Sequence, residues 1–438
     1  MDPAFRRGKI VGGRSCGFAS RHEVVPPLDT TRKPLLMAWP VSVRARLQTA
    51  LELVSFLGAQ ALRQDYAWYL LGNDDPQGST AMKKSQLQRK STTPELLERL
   101  ARGSVICAEG YLFELERRGY LQAGAYVPEV VLDHPELVEQ LHREFVHAGS
   151  DVVEAFTYYG HREKLRLIGR ERDLESMNLT ALKIAKQVAR ATGTILAGNI
   201  CNTTAYLADE PASHKAVRKM FDEQIQWAAD AGVDFIIGET YSHGSEALIG
   251  LAAIKAANKP AVITLAIHNK GVTREGWDPV DACRRLEDGG ADVVGLNCSR
   301  GPRTMLPLLK RIRKAVRCLV AALPVPYRTT SREPTFQTLN DRHCGCIPGD
   351  HPFPVALDPF TCNRFEIAEF AKAAHALDVR YLGVCCGAGP HHIRALAEAL
   401  GRHPPASRYT ADMSKHYIFG QAEGLRQQNL KYARQLRG

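Results

Sequence analysis

The chain contains no run of eighteen apolar residues, so no segment reads as a membrane-spanning helix and a soluble protein is expected. Its eleven cysteines in 438 residues follow no regular spacing, unlike a secreted disulfide framework. No Gly-x-Gly-x-x-Gly follows the first apolar run, which removes the usual fingerprint of a dinucleotide-binding doubly wound sheet. A basic stripe with interleaved aromatics is also missing. Most of the net charge of +10 falls within residues 1–103 and the remainder is near neutral, so nucleic acid is not expected as a partner. The N-terminus lacks the basic-then-apolar start of a secretory leader. Its Arg-rich, acid-poor residues 1–46 leave a transit peptide open beside a cytoplasmic location. Ile10-Val-Gly-Gly13 matches the start of activated trypsin-like proteases, but without a Gly-Asp-Ser-Gly-Gly downstream the match is chance.

What the chain does have is 45% apolar residues, enough for a full core, and a change of texture near residue 92. Residues 1–91 are interrupted by Pro26, Pro27, Pro34 and Pro40 and by the turn-rich Asn73-Asp-Asp-Pro-Gln-Gly-Ser-Thr80, and read as an irregular extension. Met82 sits just before the regular pattern begins, so translation starting there is an open alternative. From a helix over Pro94 to Arg102, opened by a Thr93 cap, apolar runs recur with helical patterns between them. The runs are Val105–Cys107, Val152–Phe156, Thr194–Ile200, Val233–Gly238, Ala261–Ile267, Ala291–Leu296, Leu319–Val325 and Val379–Val384. Amphipathic stretches such as His214–Ala231, Ser245–Asn258, Pro279–Asp288 and Phe365–Leu377 lie between runs. Buried strands alternating with helices imply a parallel sheet. Eight such units over about three hundred residues suit an α/β (β/α)8 TIM barrel covering residues 92–402, with its site at the C-terminal strand ends.

The chemistry concentrates in Tyr381-Leu-Gly-Val-Cys-Cys-Gly-Ala-Gly-Pro-His-His-Ile-Arg394 and in Ala291-Asp-Val-Val-Gly-Leu-Asn-Cys298. Adjacent strand residues point to opposite faces, so Cys385 and Cys386 share a partner only where the strand ends and the backbone twists. Gly387, Gly389 and Pro390 allow that twist. A disulfide between neighbours is strained, leaving free buried thiols, a redox pair or a metal site. In a barrel, strands six and eight flank strand seven, which brings Cys298 to the pair. Three thiolates with one position to spare suit catalytic zinc and the activation of a sulfur nucleophile carried by the substrate.

Gly-Val-Cys-Cys-Gly-x-x-Pro-x-His-Ile-Arg, with Gly-Leu-Asn-Cys298 before it, resembles the zinc signature of the homocysteine S-methyltransferase family. Phe113-Glu-Leu-Glu-Arg-Arg-Gly-Tyr120, His134-Pro-Glu136, Gln140-Leu-His-Arg-Glu-Phe145 and Phe156-Thr-Tyr-Tyr159 are similar to its betaine-dependent branch. The likeness runs from about Pro94 to about Leu430. It implies Zn2+ held by Cys298, Cys385 and Cys386, with homocysteine as methyl acceptor and a small onium compound as donor. It implies that Glu239 binds the amino group and counts with Tyr159 as a catalytic candidate. Gly110 would hold the carboxylate. The family's Asp-Gly-Gly at strand one is here Ala108-Glu109-Gly110, which makes Glu109 a candidate replacement for the acid. For the donor, Tyr159 matches the branch, Tyr126 stands where the branch has Trp, and Thr240 replaces an aromatic that Tyr241 follows. Tyr126 and Tyr241 read equally as packing, and the donor is betaine or another onium such as dimethylsulfoniopropionate or S-methylmethionine. A zinc-bearing barrel without catalysis is the competing reading.

A second His/Cys group, His343-Cys344-Gly-Cys346 with His351, has a spacing that fits no known finger. Cys107, Cys201, Cys283, Cys318, Cys362, Trp227 and Trp277 read as packing, while His392 either caps its helix or touches the metal shell. The basic amphipathic tail, residues 403–438, implies by the same resemblance a dimerisation arm and a homodimer.

Overall fold

Each apolar run becomes one strand because its residues are buried on both faces, as parallel strands sandwiched between a barrel interior and a helix layer must be. A computed structural model describes residues 94–341 and 352–436. The expectations for residues 1–91, Met82 and Thr93, and the group His343, Cys344, Cys346 and His351, lie outside the described residues. The order is α1 (Glu95–Arg102), β1 (Val105–Ala108), α2 (Tyr111–Arg117), α3 (Val130–Asp133), α4 (Pro135–Ala148), β2 (Val152–Glu154), α5 (Arg162–Leu167), α6 (Leu174–Thr192) and β3 (Ile195–Cys201). Then come α7 (Pro211–Ala231), β4 (Phe235–Tyr241), α8 (Gly244–Ala256), β5 (Ala261–Leu265), α9 (Pro279–Asp288), β6 (Val293–Asn297), α10 (Pro302–Ala315) and β7 (Leu319–Leu323). The chain continues with α11 (Arg364–Ala376), β8 (Tyr381–Val384), α12 (Pro390–Ala399) and α13 (Gln427–Leu436).

The strands pair in sequence order and close, β8 lying parallel to β1 with Val105 opposite Tyr381. The result is a (β/α)8 barrel. Helix faces supply the outer half of the core: α4 turns Val138, Leu141 and Phe145 inward, and each fully buried side chain of this kind contributes roughly 1.5–3 kcal/mol. Helix starts are set locally. Asp278 accepts from Val280 N at 2.9 Å to open α9, and Asn363 with Glu366 forms a reciprocal cap on α11.

Boundaries differ from the sequence reading where a turn intervenes. β2 stops at Glu154 rather than Phe156 because Thr157 N folds back onto Ala155 O at 2.7 Å. β4 runs past Gly238 to Tyr241, with a break in its register against β5. Among the described residues no helix is long and apolar enough to cross a membrane.

Candidate active site

β7 is the spacer that assembles the sulfurs. Its terminal carbonyls reach both ways: Cys298 N donates to Leu323 O at 3.0 Å and Cys385 N donates to Pro324 O at 2.9 Å. One strand end therefore fixes the backbone of both cysteine segments. β6 ends at Asn297, after which Cys298 and Ser299 adopt φ of 53° and 60° and turn the chain sharply across the mouth. At the other segment Gly387 has φ of 92°, and a Cβ there would lie 2.2 Å from the Tyr327 hydroxyl. Only glycine fits.

Cys298 Sγ lies 3.7 Å from Cys386 Sγ, and Cys385 Sγ lies 3.8 Å from Cys386 Sγ. All three sulfurs fall within 4.8 Å of one another. Zinc bound to thiolates at about 2.3 Å in a tetrahedron spaces its sulfurs about 3.8 Å apart, so the trio has the spacing of one tetrahedral face. Hydrogen bonds from Cys385 and Cys386 hold the Cys298 thiol well below its ordinary range, whereas burial pushes Cys385 up. The expected metal ligands are thus brought together.

Below the sulfurs sit three buried carboxylates, Glu109, Glu154 and Glu239, joined by two amides. Asn297 Nδ2 donates to Glu239 Oε2 at 2.7 Å, to Glu109 Oε2 at 3.2 Å and to Thr240 Oγ1 at 2.9 Å. Asn199 Nδ2 donates to Glu239 Oε1 at 2.7 Å and also to Glu154 Oε1. Burial raises Glu239 to about 7 against these hydrogen bonds. Burial and the charge of Glu239 push Glu109 and Glu154 well above the usual carboxylate range. Glu109 Oε1 and Asn199 Oδ1 are buried without a partner. Glu109, Glu154, Glu239 and Asn199 line one pocket with Cys385 and Cys386. Acceptors without a basic side chain among them suit an ammonium group.

Glu109 therefore does reach the site, one position after the family's acid. Gly110 has a further reason to be glycine: a Cβ there would sit 2.3 Å from Ala388 O, so the small residue lets the β1 and β8 ends approach.

The aromatic candidates separate. Tyr159 follows the end of β2 and Tyr126 lies in the loop after α2; the pocket itself is lined by Tyr158 rather than by either, and Tyr126 stacks on Phe113 at 5.4 Å between ring centroids, with its hydroxyl buried and unpartnered. Tyr241 turns the other way. Thr240 takes φ of 60°, which reverses the strand's alternation and sends Tyr241 into the helix layer. There it is 0% exposed, sits 6.0 Å from Phe221 between ring centroids, and lies so close to Gly250 that a Cβ would be 2.4 Å from its hydroxyl. The expectation that it binds substrate is corrected on this ground. Thr240 itself faces the site, its Oγ1 donating to Glu239 Oε2 at 3.0 Å.

His392 is a cap: its Nδ1 accepts from Gly389 N at 3.1 Å, and its Nε2 lies 3.1 Å from Cys362 O. Cys107 and Cys201 pack but also border the site, Cys107 Sγ lying 3.7 Å from Glu154 Oε2 and Cys201 Sγ accepting from Tyr159 N at 3.2 Å. The sequence reading missed Asn199, Asn297 and Glu154. All three carry a signal, a polar side chain within or ending a buried apolar run.

A closed barrel whose sixth and eighth strands end in three converging thiols defines a sulfur-centred (β/α)8 enzyme. The family model "Homocysteine S-methyltransferase" matches residues 105–400, and the chain belongs to the homocysteine S-methyltransferase family of enzymes. It is 38% identical over 322 residues to betaine–homocysteine S-methyltransferase 1 of Rattus norvegicus, covering 71% of this chain and 77% of that protein. It is 34% identical over 343 residues to S-methylmethionine–homocysteine S-methyltransferase of Mus musculus, covering 76% and 86%. Among solved structures it resembles the metallated form of the homocysteine methyltransferase MmuM from Escherichia coli, with TM-score 0.54 and 19% identity, over 69% of this chain and 98% of that one.

Proposed function

We propose that the protein transfers a methyl group from betaine or a related onium donor to homocysteine, giving methionine, with one zinc ion held by Cys298, Cys385 and Cys386. The observation that carries this is the sulfur triangle, whose 3.7 and 3.8 Å edges match one face of a zinc tetrahedron. Zinc, when bound, supplies Lewis acidity that keeps a substrate thiol deprotonated at neutral pH.

The chain's own residues do the rest. Glu239, with Glu109 and Glu154 behind it, receives the amino group of homocysteine and so aims the thiol at the cysteine trio. Asn297 and Asn199 hold the carboxylates in register, and the buried walls exclude water. The sulfur forms a bond to the donor methyl carbon as the methyl's bond to nitrogen or sulfur breaks. That electron pair leaves with a neutral amine or sulfide, and the thiol proton goes to solvent. No acid or base on the methyl is needed; alignment supplies the rate.

A sulfonium donor such as S-methylmethionine is the second reading, favoured by Thr240 standing where an aromatic is expected and by Tyr241 pointing away. We also propose that two chains pair through residues 403–438, where Tyr409, Met413, Tyr417 and Tyr432 are exposed. Incubating zinc-analysed protein with homocysteine and a panel of onium donors tests the reading. Methionine from at least one donor supports it. No methionine from any, with one zinc per chain, favours a barrel that binds without catalysis.

A further inference from the structure

Lys164 on α5 is a charge the methyl-transfer scheme leaves unused. Its side chain is buried at 9% exposure, yet its ammonium has one hydrogen-bond partner, Ala125 O at 3.3 Å. Among the described residues no carboxylate pairs with it. An ammonium carries three donors, and a buried one normally pairs with an anion to offset lost hydration. It rests instead over the ring of Tyr159, 3.8 Å from the centroid. The residue after Ala125 is Tyr126, whose hydroxyl is also buried without a partner. Two polar groups with unmet capacity thus meet at Ala125–Tyr126, and the ring under Lys164 directly follows Tyr158, which lines the pocket with Cys385 and Cys386.

The ring of Tyr159 already holds one cation, and a second on that face would be repelled. An anion beside Lys164 would be attracted. We propose that Lys164 holds the anionic end of the methyl donor, so that the site selects zwitterionic onium donors, which join a carboxylate to the cationic centre, over donors that are only cationic. This rests on the methyl-transfer reading. Lys164 then sets specificity through the donor's tail, while the reacting methyl lies toward the sulfurs.

The test compares dimethylsulfonioacetate with trimethylsulfonium, two sulfonium donors that differ in the carboxylate, on the full-length protein. Binding of each is measured by calorimetry, and KM and kcat are measured with homocysteine saturating. The wild type should bind the zwitterion roughly tenfold to a hundredfold tighter, the worth of one charged hydrogen bond. Lys164→Met should erase that ratio by weakening the zwitterion, while trimethylsulfonium binds as tightly as before or tighter because the repulsion over Tyr159 is relieved. Lys164→Arg, which keeps the charge, should retain the preference. Equal binding of the two donors by the wild type, or a Lys164→Met variant that weakens both alike, overturns the assignment. Absence of turnover with binding preference intact would instead sink the methyl-transfer reading and leave the role of Lys164 standing.

Discussion

Replacing Glu154 by glutamine separates the stability of the site from its function. Glu154 is 3% exposed at the end of β2, faces Glu239 through Asn199, and has no cation beside it. Burial, then the charge of Glu239, raises its folded pKa well above the ordinary carboxylate value. For a group raised in this way, its full stability is present below the unfolded pKa and is lost as pH rises through the folded pKa. Between those limits the wild type loses up to about 1.4 kcal/mol per pH unit from this one carboxyl. Glutamine keeps the shape, does not titrate, and offers an amide donor near Asn199 Oδ1, which is buried without a partner. Glu154→Gln should therefore match the wild type near pH 4.5 and gain on it steadily toward pH 8. Denaturant unfolding followed by tryptophan fluorescence at several pH values, without substrate, reads the difference. The same variant should raise KM for homocysteine, because the ammonium can no longer draw a carboxylate out of Glu154. A variant less stable than the wild type at pH 8 would refute the reasoning, since Glu154 would then be satisfied by a partner that glutamine cannot reproduce.

Cys386→Ser should lower bound zinc from one per chain to well below one after dialysis and abolish methyl transfer, as metal analysis and a methionine assay will show. Gly387→Ala should cost several kcal/mol, because φ of 92° and a Cβ 2.2 Å from the Tyr327 hydroxyl combine strain with a clash; thermal melting and zinc content should fall together. Tyr241→Phe removes a hydroxyl that is buried without a partner. It should leave KM for both substrates unchanged and stability equal or higher by about 1 kcal/mol, whereas a donor-binding Tyr241 would show a raised donor KM.

Which features could be read from the chain follows from how local their causes are. The eight strands announce themselves because a strand buried on both faces needs an unbroken apolar run, and helix starts such as Asp278 and Asn363 need only their neighbours. The cysteines were legible for a topological reason: strands six and eight must flank strand seven in any closed eight-stranded ring, so Cys298 is brought to the adjacent pair Cys385 and Cys386. Tyr241 was misread because the outcome turned on one dihedral. A strand that kept its alternation after Glu239 would aim residue 241 into the barrel, and the left-handed Thr240 reverses that.

Lys164 marks the boundary of what a sequence can show. Its neighbours, Arg162 and Glu163 before it and Arg166 after it, read as a solvated helix face, and nothing local distinguishes the one lysine that the fold buries. Its burial follows from where the loop carrying Ala125 and the turn carrying Tyr159 happen to close over α5, contacts 39 residues apart in one case. Glu109 and Glu154 differ in this respect. An acid beside an apolar run already demands an explanation, since a lone buried carboxylate is costly, and the pairing of three such acids with two strand-borne asparagines provides it. Charges at strand ends thus report the site's chemistry from the chain alone, whereas the cation that faces the donor becomes visible only once the barrel has closed around it.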